Sequence, residues 1–403
     1  MTEIVDAILA SDAFQKAVAT LDREHDRIVG DIISLTEIAS PPFGEDVRAR
    51  AYLEMLRAHG LDDVEKDEVG NVMGLRRGSG NGSLIVVAAH LDTVFPAGTD
   101  VKVRREGTRL YAPGIGDDTR SLAVLLGFMR AMDAAGIRTT HDILFVGDVG
   151  EEGLGDLRGV RHLFHKGKYK DQIKAFFTID SPEMDKIATA GIGSRRWRAT
   201  FRGPGGHSYG AFGLVSPMNA MAHAISELAR VQVPATPKTT YSVSVAGGGT
   251  SVNAIPNATW MEVDLRSAAP EELARLEARF LDILHQACHG ENHARSTAQG
   301  PITVEPVLIG DRPAGSTSPD SAIVREATAA LSRHGFKASH VASSTDANIP
   351  MSLGIPAIKL GSGGTGGRAH SLEEWIDVEK TSSLAGMSAT LTAILAIAGV
   401  QAE

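Results

Sequence analysis

The sequence predicts an α/β protein: a mainly parallel-sheet domain interrupted by a small inserted ferredoxin-like domain. Three observations lead there. Roughly the first 190 residues alternate short apolar runs with helix-periodic stretches, the pattern of βαβ units. Past Asp180 the rhythm becomes strand, helix, two strands, helix, strand. After GDRPAGSTSPD it returns to helix, strand and loop. The expected domains are residues 1–191 together with 312–403, and an insert of 192–311.

The elements follow in order. SLIVVAA, DILFVGD, AFFTID and IPAIKLG are short apolar runs that read as buried strands. DDTRSLAVLLGFMRAMDAAG carries a helical stripe at Leu122, Leu125, Leu126 and Met129, stopped by Gly136. In the insert, SRRWRATFRG reads as a strand and SPMNAMAHAISELAR as a helix with Pro217 near its start. TTYSVSVAGG and ATWMEVDLRS alternate as strands do, PEELARLEARFLDILHQAC is a second helix, and PITVEPVLIG closes the unit. That order is βαββαβ, the ferredoxin-like motif, over about 120 residues, the size of one small domain. Thr381 to Gln401 carries no charge and has about the length of a membrane span. Its Ser, Thr and Gly content, and its place behind EEWIDVEK, predict a buried C-terminal helix instead.

Composition narrows the partners. The 403 residues carry a formal net charge of -9 with no long basic stretch, which argues against nucleic acid and anionic membrane. The lone Cys288 excludes an internal disulfide framework and fits a reducing compartment. MTEIVDAILASDAFQKAVATLDREHD has acids throughout and no continuous apolar core, so it does not read as a secretory signal. A cytoplasmic location is expected.

Metal chemistry is the strongest functional signal. His90 and Asp92 follow SLIVVAA, the pair Glu151-Glu152 follows DILFVGD, Asp180 ends AFFTID, and His370 comes shortly after IPAIKLG. Asp117, in APGIGDDTR, opens the helical stretch. Parallel sheets place ligand sites at the carboxyl ends of their strands, and residues scattered by chance would not keep choosing that end. The adjacent Glu151 and Glu152 cannot aim at one point from a regular element. Such a pair divides into one ligand and one carboxylate that works a water. Asp92 is placed to hydrogen-bond the second imidazole nitrogen of His90. Two histidines and three carboxylates besides the working Glu exceed one tetrahedral zinc and suit two ions bridged by a carboxylate. The remaining histidines read as helix- or loop-surface residues.

The series AAHLDTV, APGIGDDTR, GDVGEEG, TID, GPGGHS, GGTSVNAIPNATWMEVDLR, STDANIP and AHSLEEW resembles the dinuclear zinc metallopeptidases that include peptidase T, glutamate carboxypeptidase, carnosinase and the aminoacylases. The resemblance runs from about Asp31 to about Val378, and the peptidase T-like side matches best. It implies His90 and Asp180 on one ion, Glu152 and His370 on the other, and Asp117 bridging them. It further implies Asp92 orienting His90, Glu151 as general base, and a cis peptide at Asp117-Asp118. His207 falls where the family stabilises an oxyanion, often across a dimer interface, and Asn253 and Arg266 fall where it contacts substrate. The ions implied are zinc, with cobalt or manganese as substitutes, and the insert is implied to be a lid that forms a homodimer. Thr119 and Arg120 stand where many members carry a Lys, and Asp180 where some use Glu. Ala342 stands where relatives often place an Arg for the substrate's C-terminal carboxylate, leaving Arg266 as the one anchor.

The expected activity is hydrolysis of a di- or tripeptide, with an N-acyl-amino-acid deacylase or carboxypeptidase as the alternative. A non-catalytic metal-binding scaffold would show loss of Glu151 or of a ligand, and all are present.

Overall fold

The structure is a computed structural model that describes residues 3–80 and 82–401. The chain divides into two compact units, Met1–Gly191 with Ser316–Glu403, and Ile192–Gly315.

The larger unit is built on a sheet whose consecutive strands are Asp62–Lys66, Val72–Arg76, Asp142–Asp148, Leu84–His90, Ile173–Ile179, Ala357–Leu360 and Lys186–Gly191. The centre is parallel: Leu84–His90 pairs in parallel with both Asp142–Asp148 and Ile173–Ile179, which pairs in turn with Ala357–Leu360. The edge pairs at Val72–Arg76 are antiparallel. Leu84–His90 and Asp142–Asp148 are buried at every position because both faces of the sheet are covered. Ile85, Val87 and Phe145 join one core, while Val86, Ala88 and Leu144 join another on the opposite face, the alternation a pleated strand requires.

Helix Arg120–Ala135 ends at Gly136, which sits at φ 68° as the expected stop signal does. The stripe understates its burial: every residue from Arg120 to Met132 is buried. It packs against the helices Asp12–Arg23 and His25–Thr36 as well as the sheet, so it has no solvent face to keep polar. Helix Lys380–Ala398 is long and apolar enough to cross a membrane, and 72% of its apolar window is buried inside the protein.

The smaller unit has an antiparallel sheet in the order Thr239–Gly248, Ala258–Ser267, Gly193–Arg202, Thr303–Arg312. Helices Pro217–Leu228 and Pro270–Ala294 bury Ala220, Phe280 and Leu284 against Phe201, Met261 and Leu265. Its last strand still pairs Arg312 with Ser194, which carries the unit to Gly315 rather than to 311. A two-residue ribbon joins Gly206–His207 to Ala254–Ile255.

A separate small sheet orders the loops of the larger unit. Strands Thr365–Gly367 and Trp375–Asp377 form a hairpin, and Trp375–Asp377 also pairs with Arg109–Tyr111. The loop carrying His370 is thereby set beside the segment leading to Asp117.

Candidate metal centre

Strand Leu84–His90 delivers His90 at its carboxyl end, where the His90 backbone N–H donates to Asp118 Oδ2 at 3.1 Å. The turn that follows is held by the fully buried Arg48, whose Nη1 donates to the Leu91 carbonyl at 2.8 Å and Nη2 to that of Ile38 at 2.6 Å.

Next along the sheet, strand Asp142–Asp148 leads into the Glu pair. Asn71 accepts from the Val149 N–H at 3.1 Å and donates to the Gly159 carbonyl at 3.0 Å, closing the base of that loop. Arg158 bonds the buried Glu45 at 2.8 Å and passes so close to Gly150 that a β-carbon there would strike it. Asp92 holds the tip: Oδ1 accepts from the Glu151 N–H at 3.0 Å and Oδ2 from the Glu152 N–H at 2.8 Å.

That arrangement corrects the expectation for Asp92. The His90 Nδ1 meets the backbone carbonyl of Asp92 at 2.9 Å, whereas the nearest carboxylate contact is 3.7 Å. The carbonyl accepts the Nδ1 proton and leaves Nε2 facing the site. The carboxylate is engaged by two peptide donors that would otherwise be buried without partners.

Asp117 occupies the centre. Its Oδ1 lies 2.9 Å from His90 Nε2 and its Oδ2 lies 3.0 Å from His370 Nε2, which also reaches Glu152 Oε1 at 2.9 Å. Ligand atoms of His90, Asp117 and Glu152 fall within 4.8 Å of one another, and it is Glu152 of the Glu pair that joins them. The peptide bond Asp117-Asp118 is cis. Asp180 stands outside that group, yet feels the charges of Asp117, His90 and Glu152.

The electrostatics describe a cleft that calls for positive charge. Burial pushes Asp117 up, but hydrogen bonds from His370 and His90 outweigh it and hold the carboxyl well below the usual range. His370, bonded to Asp117 and Glu152, is pushed up to about 11. Burial works against a charged His90, yet Asp117, Asp118 and Asp92 raise it well above its ordinary value. Burial raises Asp180, opposed by Lys359, whose Nζ donates to Ser181 Oγ at 2.5 Å. Two imidazole Nε2 atoms on opposite oxygens of one carboxylate, with Glu152 alongside, fit a pair of divalent ions bridged by Asp117.

Sequence reasoning missed three buried acids, although each stands inside one of its motifs; one is Glu374, in AHSLEEW, pushed up to about 7 by burial. Asp148, in GDVGEEG, is pushed up to about 7 by burial, and Asp346, in STDANIP, well above its ordinary value by burial and by Asp148. Burial and the mutual repulsion of the two carboxyls both disfavour their ionised forms. The set-aside histidines also hold two departures. His25 is buried among the N-terminal helices, and His162 Nε2 lies 3.0 Å from Glu68 Oε2 with Asp67 nearby.

In the smaller unit, His207 lies in the two-residue ribbon and Asn253 just before its second strand, where the Ser208 N–H donates to the Asn253 carbonyl at 2.9 Å. His207 Nδ1 accepts from the Tyr209 and Gly210 N–H groups, both at 3.2 Å, so its proton resides on Nε2. Arg266 Nε donates to Asp264 Oδ2 at 2.6 Å, and Arg196 flanks the other oxygen of that acid at 3.7 Å.

The profile of peptidase family M20/M25/M40 matches residues 86–396, more than half of the chain. The chain belongs to that family. It is 24% identical over 371 residues to succinyl-diaminopimelate desuccinylase of Corynebacterium glutamicum, covering 89% of this chain and 95% of that protein. Among solved structures it is similar to aminopeptidase PepT from Bacillus cereus, with a TM-score of 0.72 at 22% identity, covering 93% and 98% of the two chains. It is also similar to a dinuclear metal-binding peptidase of the M20 family from Bacillus subtilis, with a TM-score of 0.65 at 17% identity and coverage of 93% and 98%. As an M20 protein it is a metal-dependent hydrolase of peptide or related amide bonds, and the α/β fold with an inserted domain agrees with the sequence reading.

Proposed function

We propose that this protein hydrolyses the amide bond of a di- or tripeptide through a pair of divalent ions, with Glu151 as the general base. The observation that carries the reading is Asp117, whose two oxygens each face a different histidine at 2.9 and 3.0 Å. His90 and Asp180 would hold one ion and Glu152 and His370 the other, with Asp117 shared. When bound, the ions supply Lewis acidity to the scissile carbonyl and to a water. Glu151 takes a proton from the attacking water and returns it to the leaving nitrogen. Asp92 fixes the backbone of Glu151 and Glu152 together, which keeps base and ligand in constant relation. His207, with its proton on Nε2, has the tautomer that an oxyanion donor needs. Asn253 and Arg266 contact the substrate, with Arg266 anchoring its carboxylate.

The ions are zinc, replaceable by cobalt or manganese, and the enzyme works in the cytoplasm, where its single thiol, the buried Cys288, stays reduced. It works as a homodimer through the smaller unit. Support comes from Tyr209, Phe212 and Val252, which flank His207 and Asn253 and are 90%, 84% and 103% exposed. Three exposed apolar side chains beside His207 and Asn253 in sequence suit a surface that a second copy would cover. A second reading, N-acyl-amino-acid deacylation, is favoured by the similarity to a desuccinylase and by Ala342, which offers no second cation for a peptide's C-terminus.

The test loads the purified protein with Zn²⁺ or Mn²⁺ and offers short peptides, their C-terminal amides and N-acyl amino acids. Glu151→Gln is expected to lose turnover by about 10²-fold or more while still binding both ions. Turnover that survives the substitution would refute the base assignment, and loss of one equivalent of metal would exchange the roles of Glu151 and Glu152.

A further inference from the structure

His370 and Asp117 reach the centre from loops that nothing covalent holds together. His370 sits at φ 63°, a left-handed backbone that costs a non-glycine residue about 1–2 kcal/mol, so its loop does not take this shape unaided. Inside the loop, Ser371 folds back on the Arg368 carbonyl and the Glu374 N–H donates to the Ser371 carbonyl at 3.1 Å. Those bonds shape the loop without fixing where it lies relative to Asp117.

Strand Trp375–Asp377 pairs with Arg109–Tyr111 nearby, and the side chain that ties one loop to the backbone of the other is Glu374. It is 1% exposed, and its carboxylate accepts three hydrogen bonds from the other loop. Oε2 accepts from the Gly114 N–H at 3.0 Å, and Oε1 accepts from the Gly116 N–H at 2.8 Å and the Asp117 N–H at 2.9 Å. The Ala112 N–H donates to the Glu374 backbone carbonyl at 3.1 Å. Gly114 stands at φ 75° and Thr119 Oγ1 donates to its carbonyl at 2.6 Å; the Ile115 N–H turns back to the Ala112 carbonyl, while those of Gly114, Gly116 and Asp117 face Glu374. A β-carbon on Gly116 would meet Ile376 Cγ2 at 3.0 Å and Glu374 Oε1 at 3.3 Å, so glycine lets this backbone approach both closely.

We infer that Glu374 is a positioning residue that sets the separation of the two halves of the metal centre, by clamping the backbone of the Asp117 loop to the loop that carries His370. The inference rests on the two-ion reading above. A bridging ligand serves both ions only while its carboxylate keeps one orientation toward both histidines, and the Asp117 N–H on Oε1 anchors the residue one bond from its α-carbon. Glu374 touches no reacting atom. It acts through Asp117 and His370.

Glu374→Gln is nearly isosteric. Its carbonyl can keep the Gly116 and Asp117 donors, but its amide nitrogen then confronts the Gly114 N–H, donor against donor. Zn²⁺ titration by calorimetry, at a temperature where circular dichroism shows both proteins fully folded, should find both ions about 10- to 100-fold weaker than in wild type. A role confined to overall stability would lower the melting temperature of the metal-free protein and leave these affinities unchanged. Glu374→Asp keeps the charge and both oxygens on a shorter arm, and is expected to lose less than the Gln variant. It also serves if the Gln variant does not fold. The exposed neighbour Glu373→Gln is expected to match wild type. Wild-type affinity for both ions in the Gln variant, or in the Asp variant if only that one folds, would overturn the inference and leave the two-ion reading standing. A wild-type protein that binds no pair of ions would instead remove the reading itself.

Discussion

Replacing Asp92 by Asn separates two roles that the chain places in one residue. The carboxylate receives the Glu151 N–H at 3.0 Å and the Glu152 N–H at 2.8 Å, while His90 is held by the backbone carbonyl of the same residue. Asn presents one oxygen and one amide nitrogen, so one of the two peptide donors keeps a weaker, neutral acceptor and the other faces an N–H. A hydrogen bond to a charged group is worth about 1.5–3 kcal/mol and an unsatisfied buried donor costs about 1–3 kcal/mol. Allowing for partial relaxation, the Glu151-Glu152 turn should open about 2–4 kcal/mol more easily. Hydrogen exchange on the metal-free protein reads this directly, because it reports local opening. At about 1.4 kcal/mol per decade, the Glu151 and Glu152 amides should exchange roughly 30- to 1000-fold faster. The His90 tautomer, read from the ring ¹⁵N shifts, should not change. Unchanged exchange at both glutamates together with an altered His90 tautomer would refute the reasoning and restore Asp92 to the imidazole.

Three further outcomes are expected. Mixing Glu151→Gln with His207→Ala subunits should restore part of the activity that each lacks alone, and no recovery despite proven subunit exchange would remove His207 from any role across an interface. A dipeptide should be cleaved about 10- to 100-fold better than its C-terminal amide, the worth of one charge-assisted anchor. Arg266→Ala should erase that difference, and a strong preference for the free acid that survives it would place the carboxylate on another residue. Glu379 caps helix Lys380–Ala398, accepting from the Thr381 and Ser382 N–H groups at 2.9 and 2.8 Å, and these bonds depress its carboxyl to about 2 from an ordinary 4.5. A depressed carboxyl stabilises the fold fully above its unfolded value and loses that contribution as pH falls through its folded one. The melting-temperature gap between wild type and Glu379→Gln should therefore be constant above about pH 5 and close towards pH 2.

The parts of this protein that were legible in its sequence are those written as a period or a position. Buried strands such as Leu84–His90 announce themselves as unbroken apolar runs, and a parallel sheet obliges its polar business to stand at the carboxyl ends. His90, Asp117, Glu152 and His370 were all found that way or beside it, and the structure brings them into contact. What stayed hidden has no period. Glu374 and the carboxylate of Asp92 serve backbone N–H groups, and a peptide donor looks the same in every sequence. Asp148 and Asp346 meet only because two distant segments converge, and neither is distinguished from an ordinary turn acid by its neighbours in the chain. The helix Arg120–Ala135 was recognised but its burial was underestimated, since a stripe shows where one face goes and is silent about a second layer packed on the other. His207, Asn253 and Arg266 were reached through resemblance alone, because short ribbons and alternating strands expose such residues everywhere.

The Glu374 clamp also sets an order of assembly. It spans 257 residues from the Asp117 N–H, and the smaller unit, with a core of its own, lies between the two. At a synthesis rate of about 5–20 residues per second, the Asp117 loop waits roughly 13–50 seconds for its partner to leave the ribosome. During that interval the intervening unit can collapse on its own contacts, while strand Arg109–Tyr111 lacks the neighbour Trp375–Asp377 and shows a bare edge. A chain that stalls or is cut before Trp375 is therefore not a slower enzyme. It is a nascent protein with an open sheet edge beside a cluster of uncompensated acids, the kind of species that quality control holds back or destroys.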